Sequence, residues 1–415
     1  MTPATAPGSA DFLMSDQRQD LQTRADPLGS FDLDTLLAGA ARLRGDRKAI
    51  ADGSRSLSFE ELDRQANAVA TQFGALGLGV GECVLLVAGL RVSAIVGIIA
   101  GLRAGLQVAL APAHIDAASL AACAGDVSAC VLIADRSYGK IAPLEACFEA
   151  ALLSPRVRMI STLRYADDVR VETAGADLDG VVVIDPAALA ARDTGNANSF
   201  GLSRIATRLP IVTFGADGSL IAHDQRTLVA AGLDFVAKAR VGMRLPIITT
   251  LAPSSFAGLV AGPFASLLAG APLLLHGPFD AAAFVQTIDS CEPAHVIVPS
   301  SLLPMCEAAG LVRATRIASL VLVSRAQAAS HFLEPPSFAA GLGLPPVIDL
   351  YAIGEIAAIA EARPTSGRPA ALLPEPHVIA LEDQRILVAG WAEDGMEPSF
   401  EGAGISGISS PYRAS

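Results

Sequence analysis

Lysine is almost missing from this chain: only Lys48, Lys140 and Lys238 occur among 415 residues, and arginine supplies the rest of the 30 basic positions. A mechanism that needs a catalytic lysine has three candidates. A basic stripe is missing as well. With a net charge of −12, the chain has no positive surface pattern to neutralise phosphates and release counterions, which argues against a nucleic-acid partner. Paired cysteines are absent: Cys83, Cys123, Cys130, Cys147, Cys291 and Cys306 form no Cys-x-x-Cys motif. Four of them sit in apolar runs, so they read as buried reduced thiols and not as a disulfide frame or a zinc site. The six histidines are equally dispersed, which leaves no ligand cluster. No secretory signal is visible either, because the first thirty residues are polar and their apolar run, Phe12-Leu13-Met14, is too short for one. Residues 1–30 are expected to be a disordered tail, and the protein cytoplasmic.

What is abundant is apolar sequence, 52% of the chain. At about 150 residues per domain, the length suggests two or three lobes. Two stretches reach membrane-span length, Cys83 to Leu102 and Ile247 to Leu275. The second is cut by Pro253, Pro263 and Pro272, and a buried α/β unit explains both better than a transmembrane segment, since buried parallel strands read as continuous apolar runs.

The order of elements supports that view. Ser58 and Glu61 make a capping box ahead of a helix whose face is Leu62, Ala66, Val69, Phe73 and Leu76. Strand Cys83 to Val87, helix Val92 to Ala104, strand Gln107 to Ala111, helix Ala117 to Ala124 and strand Cys130 to Ala134 follow. Alternation of this kind implies a doubly wound parallel sheet. The same alternation resumes after a less periodic stretch, 151–208, with helix Gln225 to Ala239, strand Leu245 to Leu251, helix Phe256 to Leu268 and further units up to a strand at Pro346 to Leu350. The expected organisation is α/β, with lobes at 31–200 and 201–345 and a small β-rich, barrel-like subdomain at 346–415 that includes a hairpin of Val378 to Leu381 with Arg385 to Val388.

Between the two halves lies Thr213-Phe214-Gly215-Ala216-Asp217-Gly218-Ser219, a strand running into a glycine loop. Such loops hold phosphates when glycines let backbone N–H groups converge on an oxyanion and hydroxyl or ammonium groups complete the cage. Here Ser219 is the one hydroxyl after the strand, no lysine follows, and Asp217 would repel a phosphate. A plain strand-to-helix turn is the competing reading.

The order of landmarks resembles the adenylate-forming superfamily, which comprises acyl-CoA synthetases, aryl-CoA ligases and adenylation domains. The resemblance rests on Leu57-Ser58-Phe59-Glu60-Glu61-Leu62, Leu76-Gly77-Leu78-Gly79-Val80-Gly81-Glu82, Gly101-Leu102-Arg103-Ala104-Gly105, the glycine loop, Leu267-Leu268-Ala269-Gly270-Ala271 and Leu350-Tyr351-Ala352-Ile353-Gly354-Glu355. It covers about 31 to about 400 and implies the fold of the family's large N-terminal domain. It also implies ATP or AMP with magnesium as cofactors. Thr213, Gly215, Gly218 and Ser219 would bind the nucleotide with Tyr351, which matches the adenine-stacking aromatic, and Glu355 matches the magnesium-holding acid. Ser254, Ser255 and Phe256, together with Ser324, Arg325 and Ala326, would line the substrate pocket. Taken without the resemblance, Tyr351 reads as a strand-end packing residue and Glu355 as a solvated charge.

The departures from the family pattern are chemical. Its Thr-Ser-Gly-Thr-Thr-Gly-x-Pro-Lys-Gly loop has become Phe214, Ala216, Asp217 and Ile221 at four polar positions, and Gly354 replaces the threonine before the acid. Each lost hydrogen bond to a charged phosphate is worth roughly 1.5–3 kcal/mol. Arg325 stands where the family has small residues, and it either points outward or crosses the pocket to bind a carboxylate or phosphate. No counterpart of the family's hinge and mobile lid domain is found in the sequence, nor of the lid lysine. The expectation is a catalytically reduced relative that binds a hydrophobic carboxylate or acyl thioester, as an accessory or scaffold to a synthetase partner. The alternative is a carboxylate-adenylating ligase whose lid is supplied in trans.

Overall fold

In the computed structural model, the described residues are 31–165, 180–192, 209–311, 316–326 and 345–362, with three further strands, Val378–Glu382, Arg385–Val388 and Ile408–Ser409. The tail expected at 1–30 lies outside them. The helix best marked in the sequence forms over Phe59–Ala75. Ser58 Oγ accepts from the Glu61 N–H at 3.2 Å, and Glu61 Oε2 accepts from the Ser58 N–H at 2.8 Å, a reciprocal cap that satisfies two backbone donors at the helix start. Leu62, Ala66, Val69 and Phe73 are buried along one face, and Leu76 packs partly against the same core.

Strands β1 (Lys48–Ala51) and β2 (Ser56–Ser58) precede this helix. After it come β3 (Cys83–Ala88), β4 (Gln107–Pro112), β5 (Ala129–Ala134), β6 (Met159–Leu163) and β7 (Val181–Ile184). Strands β8 (Ile211–Phe214) and β9 (Leu220–His223) form an antiparallel hairpin. The series continues with β10 (Ile247–Thr249), β11 (Leu273–Leu275), β12 (Ala294–Pro299), β13 (Ile317–Ala326), β14 (Val347–Ile353) and β15 (Ala357–Ala362). Together they build two sheets. The first has the order β7-β6-β5-β3-β4-β8-β9 and is parallel except at β9. The second has the order β15-β14-β13-β12-β10-β11-β1-β2 and is parallel except at its two edge strands.

Side-chain alternation along the strands sets the layers. On β3, Val84, Leu86 and Ala88 enter one core while Cys83, Leu85 and Val87 enter another, the period of two that a strand imposes. The larger core gathers inward residues of both sheets with those of helices Phe59–Ala75, Val92–Arg103 and Gln225–Ala239. Helices Ala117–Asp126 and Pro143–Leu153 cover the outer face of the first sheet. Helices Ala281–Ser290 and Leu303–Ala308 cover the outer face of the second. The result is a five-layer αβαβα stack, with both long apolar stretches consumed as strand–helix units inside it. Among the described residues no helix is long and apolar enough to cross a membrane.

Several expectations change. The glycine-loop strand β8, expected to open the second lobe, pairs with β4 in the first sheet, whereas β1 and β2 from the front of the chain complete the second. Strands β14 and β15, expected to open the small β-rich subdomain, hydrogen-bond into the second sheet. The loop after β8 leads into β9, so it is a hairpin turn and not a strand-to-helix turn. The helix expected from Phe256 to Leu268 is broken into Phe256–Leu259, a wide π turn at Val260–Phe264 and Ala265–Ala269. Pro263 lies in that turn beside Gly262, whose φ −96° and ψ −106° leave the helical region; proline lacks the N–H and crowds the carbonyl four residues back. The expected hairpin of Val378–Glu382 with Arg385–Val388 is present, and Ile408–Ser409 adds a parallel strand to it.

Candidate functional site

In an open parallel sheet, ligands bind beyond the carboxyl ends of the strands, where the connecting loops diverge. Both sheets present those ends to one cleft of about 1420 Å³. Its walls include Gly89 and Leu90 after β3, Phe214 at the end of β8 with Gly215 to Gly218 after it, Thr250 to Ala252 with Ser254 and Ser255 after β10, Ser324 on β13, and Gly354 and Glu355 after β14. Gly215, Gly218, Ser254, Ser255, Ser324 and Glu355, all expected site residues, therefore border one space. The remaining expected residues do not line it: Ser219 follows in the same loop, bonded to Asp217. Thr213, Tyr351 and Phe256 are buried in the packed interior. Arg325 and Ala326 lie on β13 opposite Ala352 and Ile353, and their side chains fall outside the described residues.

The glycine loop is closed on itself. The Gly215 N–H donates to the Ser219 carbonyl at 2.8 Å and the Gly218 N–H to the Gly215 carbonyl at 2.9 Å. Gly218 has φ +81°, a backbone state that costs glycine nothing and lets the Ser219 N–H turn back. That N–H donates to Asp217 Oδ1 at 3.0 Å, and the Ser219 hydroxyl donates to the same oxygen at 2.6 Å. The hydroxyl contact, followed by the backbone one, holds the Asp217 carboxyl below its usual range. A Cβ on Gly215 would stand 2.5 Å from Ser219 Oγ and 2.6 Å from Asp217 Oδ1, so the glycine makes room for this internal contact.

Below the loop, Thr213 Oγ1 and His223 Nε2 are 2.7 Å apart, a diagonal cross-strand pair of the hairpin. The His223 ring packs 5.1 Å from the Phe256 ring, and Nδ1 has no hydrogen-bond partner among the described residues. Burial pushes this imidazole down to about 3, so it is neutral. Nothing in the sequence pattern marked His223; the alternation of β9, with Ile221 and His223 both buried, is the signal that would have found it. Ile221, which the resemblance sets on or near the position of the family lysine, is a core residue.

On the opposite wall, Glu355 follows Gly354 in the turn between β14 and β15 and is only 4% exposed. Its Oε2 accepts from the Phe256 N–H at 2.5 Å, so it caps a break-prone helix instead of standing as a solvated charge. The neighbouring Ser255 caps the same turn, accepting from the Gly258 N–H at 3.1 Å. Charge on the cleft wall is one-sided: Asp116, Asp217 and Glu355 line it, and no lysine or arginine does among the described residues.

Nucleotide and magnesium fit this wall poorly. The Ser219 donors are taken up by Asp217, the Gly215 and Gly218 N–H groups by carbonyls of the same turn and the Glu355 carboxylate by a backbone N–H, and a polyanion would meet three carboxylates with no lysine or arginine among the described residues.

Comparison with known proteins places this geometry. Residues 37–193 match the AMP-binding enzyme family. No curated protein matches the chain. Among solved structures, the N-terminal subdomain of Klebsiella oxytoca NpsA, in complex with 3-hydroxyanthranilyl-AMSN, superposes with a TM-score of 0.60 at 15% identity, covering 86% of this chain and 85% of that one. Mycobacterium smegmatis MbtA gives 0.59 at 18% identity, with 80% of this chain matched to 58% of that chain, so the protein spans somewhat under two-thirds of that relative. The N-terminal domain of FACL13 from Mycobacterium tuberculosis gives 0.55 at 16%, covering 79% of each. Residues 37–193 thus match the AMP-binding enzyme family, and the chain shares the fold of the N-terminal region of these solved structures.

Proposed function

We propose that the protein is a catalytically reduced member of the adenylate-forming group that binds a hydrophobic carboxylate or acyl thioester in the inter-sheet cleft, as an accessory or binding protein. The observation that carries this reading is the cleft wall itself. It keeps Gly215 and Gly218 of the family loop, has Gly354 where the family has a threonine, presents no lysine or arginine among the described residues and carries three carboxylates. Apolar groups such as Leu90, Ala113, Phe214 and Phe279 supply the rest, and small ligands bind mostly through such surface with a few polar groups for orientation. Of the two ligand classes, the neutral thioester meets this wall with less electrostatic cost. The test is a thermal-shift screen of the full chain against Mg·ATP, AMP, fatty and aryl acids, and acyl thioesters. A ligand at a hundred times its Kd stabilises by about 2.7 kcal/mol, so thioesters are expected to raise Tm and Mg·ATP to leave it in place; the reverse pattern overturns the reading.

A second reading, a carboxylate-adenylating ligase completed by a lid in trans, is favoured by one observation: Glu355 remains on the wall of the cleft that the glycine loop also borders. Pyrophosphate exchange that arises only on addition of a lid-bearing partner would select it.

A further inference from the structure

We propose that the Asp217 carboxylate fills the anion seat of the glycine loop, so that this chain's own side chain takes the place of a ligand phosphate and the cleft selects ligands that are uncharged at that end. The inference rests on the reading of the cleft as a ligand site and adds what sets its selectivity. A glycine loop binds an oxyanion because its N–H groups and hydroxyls converge on one point. Here the two donors of Ser219 meet at Asp217 Oδ1, the N–H at 3.0 Å and the hydroxyl at 2.6 Å, while the Gly215 and Gly218 N–H groups close the turn onto the Ser219 and Gly215 carbonyls. The positive φ of Gly218 turns the first donor inward, and the missing Cβ of Gly215 clears the space where the carboxylate and the hydroxyl meet. Gly215, Asp217 and Gly218 line the cleft and Ser219 does not, so the Asp217 carboxylate stands on the cleft wall with its Ser219 donors behind it. A tethered anion competes with a free one at an effective concentration that no dilute phosphate matches, and it repels a second anion besides.

The competing account is that Asp217 only shapes the hairpin turn, and two substitutions separate them. Asp217→Asn keeps an acceptor for Ser219 and removes the charge. Asp217→Thr removes the carboxylate altogether and leaves a hydroxyl. Full-length wild type and both variants would first be melted, then titrated by calorimetry at low salt with inorganic pyrophosphate and with AMP, and in a separate arm with octanoyl-pantetheine, a thioester without phosphate. The expected result is no saturable pyrophosphate or AMP binding by wild type, a gain of about tenfold or more over the detection limit in Asp217→Thr, a smaller gain in Asp217→Asn, and a change in thioester affinity much smaller than the gain in anion affinity. Cooperative melting of both variants without any gain in anion binding overturns the proposal, as does wild type that binds pyrophosphate as tightly as the variants. Should Asp217→Thr fail to melt cooperatively, Asp217→Asn decides alone, a gain supporting the seat and no gain overturning it. Failure of wild type to bind the thioester would count against the cleft reading and leave the anion-seat result standing.

Discussion

The loop after β8 and the turn after β14 border the same cleft, and each carries one acidic residue whose oxygen is taken up by the protein itself. Asp217 is exposed and bonds two residues away, to Ser219. Glu355 is buried and bonds across 99 residues of sequence, to the Phe256 N–H. The consequences of the two contacts differ. The local contact adjusts a surface loop and with it what the cleft accepts, whereas the long-range contact ties the turn of the second sheet to the helix that starts at Phe256. Chemistry at the first wall is adjustable without the fold; at the second it is not.

That contrast can be broken from either side. The largest effect is expected at Glu355: Glu355→Ala leaves the buried Phe256 N–H without its charged acceptor, a loss of roughly 1.5–3 kcal/mol in chemical denaturation, while Glu355→Gln, which retains an acceptor, should recover most of it. Equal destabilisation by both would show that the charge, and not the hydrogen bond, holds the turn. Next in size is His223. Its folded pKa of about 3 lies below the ordinary value near 6.5, so between these values the unfolded state binds more protons. Stability contributed by the neutral ring is therefore present above pH 6.5 and lost as pH falls toward 3, with a limiting slope of about 1.4 kcal/mol per pH unit for this one site. The slope over that window should flatten in His223→Leu; an unchanged slope would place the acid sensitivity elsewhere.

Smaller still is Gly215→Ala, whose Cβ would push the Asp217 carboxylate off Ser219, at a stability loss expected below about 1 kcal/mol because both displaced groups are side-chain ends near solvent. Its informative readout is anion binding, which should appear where wild type shows none. Ser219→Ala should be the mildest, within roughly 0.5–1 kcal/mol, and its melting temperature against that of Glu355→Ala gives the ratio between local and long-range contacts directly. Comparable losses at the two sites would erase the distinction drawn here.

The parts of this molecule that could be read from sequence are those decided locally. The Ser58–Glu61 cap and the run Cys83–Ala88, filled on both faces, declare themselves because capping and burial act within a few residues. Sheet membership is decided otherwise. Lys48–Ala51 finds its partner at Leu273–Leu275 and Ile211–Phe214 finds Gln107–Pro112; since closing a long loop costs little more than closing a moderate one, proximity in the chain does not choose the neighbour. The break at Pro263 was legible in principle, because a proline inside a helical pattern removes a hydrogen bond wherever it falls. At the site, the missing loop hydroxyls and lysine were visible as letters. That Asp217 turns onto Ser219 follows from the habit of short acidic side chains to bond the backbone two residues on, but that Glu355 reaches Phe256, and that Tyr351 and Thr213 are interior, depends on tertiary packing no local pattern encodes.

The most direct test of the central claim is a pair of calorimetric titrations on the full chain, one with octanoyl-pantetheine in the absence of nucleotide and one with Mg·ATP. A self-filled anion seat in a cleft with no lysine or arginine among its described residues predicts saturable binding of the thioester and none of Mg·ATP at matched concentrations. Saturable Mg·ATP binding, with thioester or carboxylate affinity that depends on it, would contradict the account.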